Sequence, residues 1–89
     1  MAVLERKLTK DNFELQIGTN HFGHFLLTYV LWDKLKQSGN PRIINVSSSF
    51  HSFSGTYDID FDNIHFQNGG YDSLAAYSHS KKANILFTK

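Results

Sequence analysis

Two residues four apart near the end of this 89-residue chain, Tyr77 and Lys81, have the types and spacing for acid–base chemistry. On a helix, positions i and i+4 share a face, about one turn apart. A free tyrosine titrates near 10, too high to trade protons at neutral pH unaided. A fixed ammonium nearby stabilises the phenolate, so the pair can serve as a tuned general acid–base. The plainer reading is an exposed lysine packing its stem on a tyrosine ring. Ser47 and Ser48 close the short β-branched run Arg42-Ile43-Ile44-Asn45-Val46. In open α/β sheets the ligand crevice lies outside the carboxyl ends of the strands, where a hydroxyl can hold a substrate oxygen. A serine that simply begins a turn is the alternative. Asn20 lies in a mostly apolar helical stretch, where a poor helix former needs a partner, bound water or solvent.

The elements that would position these residues follow from the punctuation of the chain. Apolar residues at Phe13, Ile17, Phe22, Phe25, Leu26, Tyr29, Val30, Trp32 and Leu35 predict a long helix from Asp11 to Gln37. Asp11 is the expected cap and Glu14 its capping-box partner. Between Phe22 and Trp32 the apolar residues occupy nearly the whole circumference, which predicts burial on more than one face. Gly18 and Gly23 predict close packing of another backbone or a bend. Ser38-Gly39-Asn40-Pro41 ends the helix. Residues 42–48 read as a strand buried on both faces, as in a parallel sheet, although no second convincing strand is present. Thr56 to Phe61 reads as a loop with at most a short extended piece. A second helix is predicted from Asp72 or Ser73 to the end, after Gly69-Gly70.

Composition narrows the function classes. Nine basic against eight acidic residues give a formal net charge of +1, too weak a field for nucleic acid or an anionic membrane. With no cysteine there is neither a disulfide framework nor a thiolate metal site. The near-apolar run Phe25 to Trp32 is far short of the roughly 20 residues that span a bilayer. His21 and His24 lack partners at metal-ligand spacing. Asp58, Asp60 and Asp62 open like a calcium loop, but Asn63 stands where the glycine belongs and Gly69 where the glutamate belongs. No metal site is expected.

Taken in order, three stretches are more specific than any single residue. Thr19-Asn20-His21-Phe22-Gly23-His24-Phe25, Arg42-Ile43-Ile44-Asn45-Val46-Ser47-Ser48 and Ala76-Tyr77-Ser78-His79-Ser80-Lys81-Lys82-Ala83-Asn84 together resemble the short-chain dehydrogenase/reductase family, most closely its retinol dehydrogenase branch. The stretches 11–18 and 59–64 fit the same branch, and the similarity runs over residues 8–89. The resemblance implies an α/β fold, a partial Rossmann-type doubly wound parallel sheet, with residues 1–89 as the catalytic half of an NAD(P)-binding domain truncated at both ends. It implies catalytic roles for Asn20, Ser48, Tyr77 and Lys81. Tyr77 would be the acid–base group, Lys81 would tune it and bind the nicotinamide ribose, and Tyr77 would share with Lys81 in contacting the cofactor. Ser48 would orient the substrate oxygen, and Asn20 would hold a water in the proton relay. The implied cofactor is NADP or NAD, with NADP favoured by the branch. The implied substrate is a small alcohol or carbonyl, retinol/retinal or another lipophilic compound. The two long helices suggest a homo-oligomer. A catalytically inactive product acting as an interaction or dimerisation piece is the alternative. The family's T-G-x-x-x-G-I-G turn, which holds the pyrophosphate, and its N-N-A-G motif are absent from the 89 residues. The 29 residues from Ser48 to Tyr77 form a longer gap than most of the family has, as is typical of this branch.

Overall fold

The computed structural model describes residues 2–52 and 58–89. The chain enters through a tight reversal. Leu8 and Glu14 form an isolated antiparallel bridge. The Thr9 N–H donates to the Phe13 carbonyl at 2.7 Å and the Asn12 N–H to the Thr9 carbonyl at 3.0 Å. Asn12 takes the left-handed conformation, φ 66°, that such a turn asks for and asparagine tolerates.

This reversal moves the start of the first helix from the position expected. Helix α1 (Leu15–Ile17) is capped by Glu14, whose carboxylate accepts from the Gln16 and Ile17 N–H groups at 2.9 Å each. Asp11 is spent in the turn and caps nothing. Glu14 is almost fully buried, and its own N–H donates to His65 Nδ1 at 3.2 Å. The helix then widens through a π turn (Gly18–Phe22) before continuing as α2 (Gly23–Gln37). In that turn the Gly23 N–H reaches back five residues to the Gly18 carbonyl. Gly18 is closely packed, but by side chains rather than by the other backbone expected: a Cβ there would lie 2.7 Å from Thr9 Cγ2 and 3.3 Å from Phe13 Cβ. Gly39, at φ 83°, follows the helix end as its left-handed terminator.

The predicted burial of the Phe22–Trp32 stretch is not met within these residues. No residue of α2 is buried, and Phe25, Leu26, Leu27, Tyr29, Val30, Leu31 and Trp32 are all exposed. The predicted buried strand is corrected in the same way. Residues 41–48 are irregular and unpaired, with Ile44 at 79% and Val46 at 72% exposure. A central strand needs neighbours on both edges, and no β-ladder exists among the described residues. The α/β architecture is therefore present only as its helices and connecting segments.

A 3-10 turn (Ser49–Ser52) follows the extended segment. Of the anticipated loop, Thr56 and Tyr57 lie outside the described residues; residues 58–70 are irregular turns. Helix α3 (Ser73–Thr88) starts where expected, with Asp72 Oδ1 accepting from the Leu74 and Ala75 N–H groups at 2.8 and 2.9 Å.

Helix α3 packs across α1 and the π turn through small and polar residues. The buried set there is Ala75, Ala76, Ser78, His79, Ser80, Ala83 and Asn84, facing Ile17, Glu14 and Gln16. Gln16 Nε2 ties the layer together by donating to the Tyr71 hydroxyl and the Ser73 carbonyl, both at 3.0 Å. The radius of gyration, 14.2 Å, exceeds the ~12 Å of a compact domain this long, as the exposed α2 requires. No helix among the described residues is long and apolar enough to cross a membrane.

Candidate active site

On α3, Lys81 and Asn84 follow Tyr77 at steps of four and three, Thr88 follows Asn84 at a step of four, and Ser80, three after Tyr77, borders the same face. Ser80, Lys81, Asn84 and Thr88 are each tied to a residue outside α3. Lys81 lies over the Tyr77 ring, its Nζ 5.6 Å from the ring centroid. That is the juxtaposition the i, i+4 spacing predicts. The ammonium has no carboxylate partner among the described residues and makes one long hydrogen bond, 3.4 Å, to the Val46 carbonyl. Its remaining N–H groups are free to meet a ligand hydroxyl. Tyr77 also packs edge-on against Phe50 at 5.9 Å.

The extended segment is pinned to this face even though it forms no strand. Ser47 Oγ donates to the Lys81 carbonyl at 2.7 Å, and Asn45 Nδ2 to Thr88 Oγ1 at 2.9 Å. Ser48 opens the 3-10 turn: its Oγ accepts from the Phe50 N–H at 3.2 Å and its carbonyl accepts from the His51 N–H at 3.0 Å. Ser48 and Tyr77 are thus connected through Phe50, which contacts the tyrosine ring and whose carbonyl accepts from Ser78 Oγ at 2.8 Å. No direct hydrogen bond joins Ser48 to Tyr77 among the described residues.

Asn20 sits in the π turn, a device frequent at functional sites. Its Nδ2 donates to Ser80 Oγ at 3.0 Å, and Ser80 Oγ in turn donates to the Tyr77 carbonyl at 2.7 Å. The asparagine therefore has the partner its apolar surroundings demand. Its carbonyl takes Asn84 Nδ2 at 2.9 Å, and His24 Nδ1 lies 2.7 Å away. Because a carbonyl only accepts, His24 Nδ1 carries the proton of that bond.

Three of the four candidate residues, Asn20, Tyr77 and Lys81, converge on one face of α3, and Ser48 adjoins it through Phe50. Ser80 and Asn84 complete the lattice and were not singled out as candidates. Their signal lay in the sequence all the same, as polar residues three and seven positions after Tyr77 on the face that carries Lys81. Lys82, one position from Lys81, points elsewhere and pairs with Asp58. Among the other ionisable groups on α3, burial lowers the pKa of His79, with Asp60 and Glu14 opposing the shift. That ring stacks on Phe66, centroids 5.9 Å apart.

Among known proteins the chain is similar to retinol dehydrogenase 13 of Homo sapiens, 53% identical over 81 residues, and to retinol dehydrogenase 11 of Homo sapiens, 49% identical over the same length. Retinol dehydrogenase 14 of Homo sapiens is 47% identical over 81 residues. These 81 residues are 91% of this chain but only 23–24% of the relatives' length. No family model and no solved structure matches the chain.

Proposed function

Because the chain is homologous to the retinol dehydrogenases of the short-chain dehydrogenase/reductase family, we propose that it carries the catalytic segment of an NAD(P)-dependent oxidoreductase that interconverts an alcohol and a carbonyl. The observation that carries this reading is the Tyr77–Lys81 pair, with the ammonium 5.6 Å from the ring centroid and no acidic partner among the described residues. The substrate would be lipophilic, retinal or a similar aldehyde, in keeping with the names of the relatives.

The residues present fit one end of a nicotinamide cofactor. Lys81 offers unused ammonium donors suited to ribose hydroxyls. The phosphate-binding turn of the family does not occur in the 89 residues. When bound, the nicotinamide supplies or accepts the hydride. The chain's own groups do the rest. In reduction Tyr77 gives its phenolic proton to the forming alkoxide, and the Lys81 ammonium stabilises the phenolate left behind. Ser48 holds the substrate oxygen. Asn20, through Ser80, fixes the turn that carries Tyr77 and links the site to water. The unpaired 42–48 segment and the apolar face of α2 are the surfaces on which the family's remaining strands and helices would pack.

Two experiments test this. Turnover of retinal or retinol with NAD(P)(H) is expected to be absent from the purified 89-residue chain, and measurable turnover by it would overturn the incomplete-site reading. Grafting the chain into human retinol dehydrogenase 13 in place of its matching 81-residue stretch is expected to give an active, NAD(P)-dependent enzyme. A folded, cofactor-binding graft without activity would defeat the proposal.

A further inference from the structure

The geometry points to Asn84 as a positioning residue for this site: its side-chain amide sets the spacing between Asn20, Val46 and the Tyr77–Lys81 face. This inference rests on the catalytic reading above. Asn84 is 3% exposed, and three of its side chain's four hydrogen-bonding positions, both donors among them, are filled from other elements. Nδ2 donates to the Asn20 carbonyl at 2.9 Å and to the Val46 carbonyl at 3.2 Å, while Oδ1 lies 3.1 Å from His21 Nδ1.

The orientation of the amide is over-determined. Two carbonyls face one end, and carbonyls only accept, so that end must be the NH2 group. Oδ1 then faces His21, and an amide oxygen also only accepts. His21 must therefore carry its proton on Nδ1. A reversed amide would oppose oxygen to oxygen twice in a buried site, at the cost of unsatisfied acceptors.

The two carbonyls are those the site depends on. The Asn20 carbonyl belongs to the π turn that aims the asparagine side chain at Ser80 and the Tyr77 turn. The Val46 carbonyl is the one to which Lys81 Nζ makes its long 3.4 Å bond. By bonding the Val46 carbonyl at 3.2 Å, Asn84 holds the segment before Ser48 against α3 and so places the carbonyl whose second lone pair takes the long bond from the ammonium. Asn84 touches no reacting atom; it acts through Asn20, Val46 and Lys81. Leucine matches its shape without the donors, and aspartate matches it while turning an acceptor toward both carbonyls.

The test uses the graft into retinol dehydrogenase 13, comparing the parent with Asn84→Leu, Asn84→Asp and Tyr77→Phe. Both Asn84 variants are expected to lose ~10- to 100-fold in kcat, the scale of a misplaced catalytic group, with KM for retinal and cofactor affinity by fluorescence within about threefold of the parent. Parental kcat in both, alongside an inactive Tyr77→Phe, would overturn the role of Asn84 while leaving the catalytic reading intact. An active Tyr77→Phe would instead overturn the catalytic reading, and this inference with it. Should the Asn84 variants fail to fold, nitrogen NMR of the parent's His21 ring decides: the Nδ1–H tautomer is expected, and the Nε2–H tautomer would overturn the network.

Discussion

Helices α2 and α3 are nearly equal in length, 15 and 16 residues, yet they are ordered by opposite means. Helix α2 is crowded with Phe, Leu, Tyr, Val and Trp and buries no residue. Helix α3 buries Ala75, Ala76, Ser78, His79, Ser80, Ala83 and Asn84, none of them a large aliphatic residue. Hydrophobic content alone does not settle what is buried; a matching surface does. Small residues let α3 approach α1 closely, and directional hydrogen bonds from Asn20, Gln16 and Asn84 then fix its rotation. The proposed catalytic face is on the helix that buries residues against its neighbours among the described residues.

If that contrast is right, matched changes on the two helices should differ sharply in the graft. Tyr77→Phe should cost ~10²–10⁴ in turnover, the range of a lost general acid–base, with cofactor binding kept. Tyr29→Phe on the exposed side of α2 should leave turnover near the parent's. A Tyr77→Phe enzyme keeping more than half the parental rate would remove Tyr77 from the mechanism. Next in size, Lys81→Ala should weaken NAD(P)H binding as well as kcat, since both proposed roles of the ammonium go together.

Smaller effects probe the scaffold. Gly18→Ala places a methyl 2.7 Å from Thr9 Cγ2 and should destabilise by about 1–3 kcal/mol, as overpacking does. Gly23→Ala meets only the Gly18 carbonyl, at 3.4 Å, and should cost less. Denaturant titration of the two variants checks the order. His79, whose pKa burial pushes below its ordinary value, should make stability depend on pH. The unfolded chain binds that proton more readily than the folded one, so stability is full above the unfolded pKa near 6.5 and falls as pH drops below it. His79→Phe should flatten this dependence in thermal scans between pH 5 and 8. Lys82→Ala should have the smallest effect. Its pair with the well-exposed Asp58 is a surface ion pair worth about 0–1 kcal/mol. A larger loss at Lys82 than at Lys81 would mean that the helical phase of α3 is misassigned.

The legible parts of the sequence were those set by local spacing. Tyr77 and Lys81 share a face because a helix repeats every 3.6 residues, and Asp72 caps that helix with its own side chain. Asp11 is not the cap its position suggests, because Asn12 adopts a left-handed turn and a bridge at Leu8 delivers Glu14 to the helix start instead. Residues 42–46 have a strand's composition, but a strand is a property of a pair, and they have no strand partner among the described residues. The roles of Ser80 and Asn84 were hidden because their partners, Asn20 and Val46, lie 60 and 38 residues away in sequence.

Amide hydrogen exchange on the 89-residue chain tests most directly the claim that its own polar contacts hold the proposed catalytic side chains. Residues 15–22 and 75–84 are expected to exchange slowly, and residues 25–37 and 41–48 quickly. Uniformly fast exchange, or stronger protection on α2 than on α3, would contradict the account.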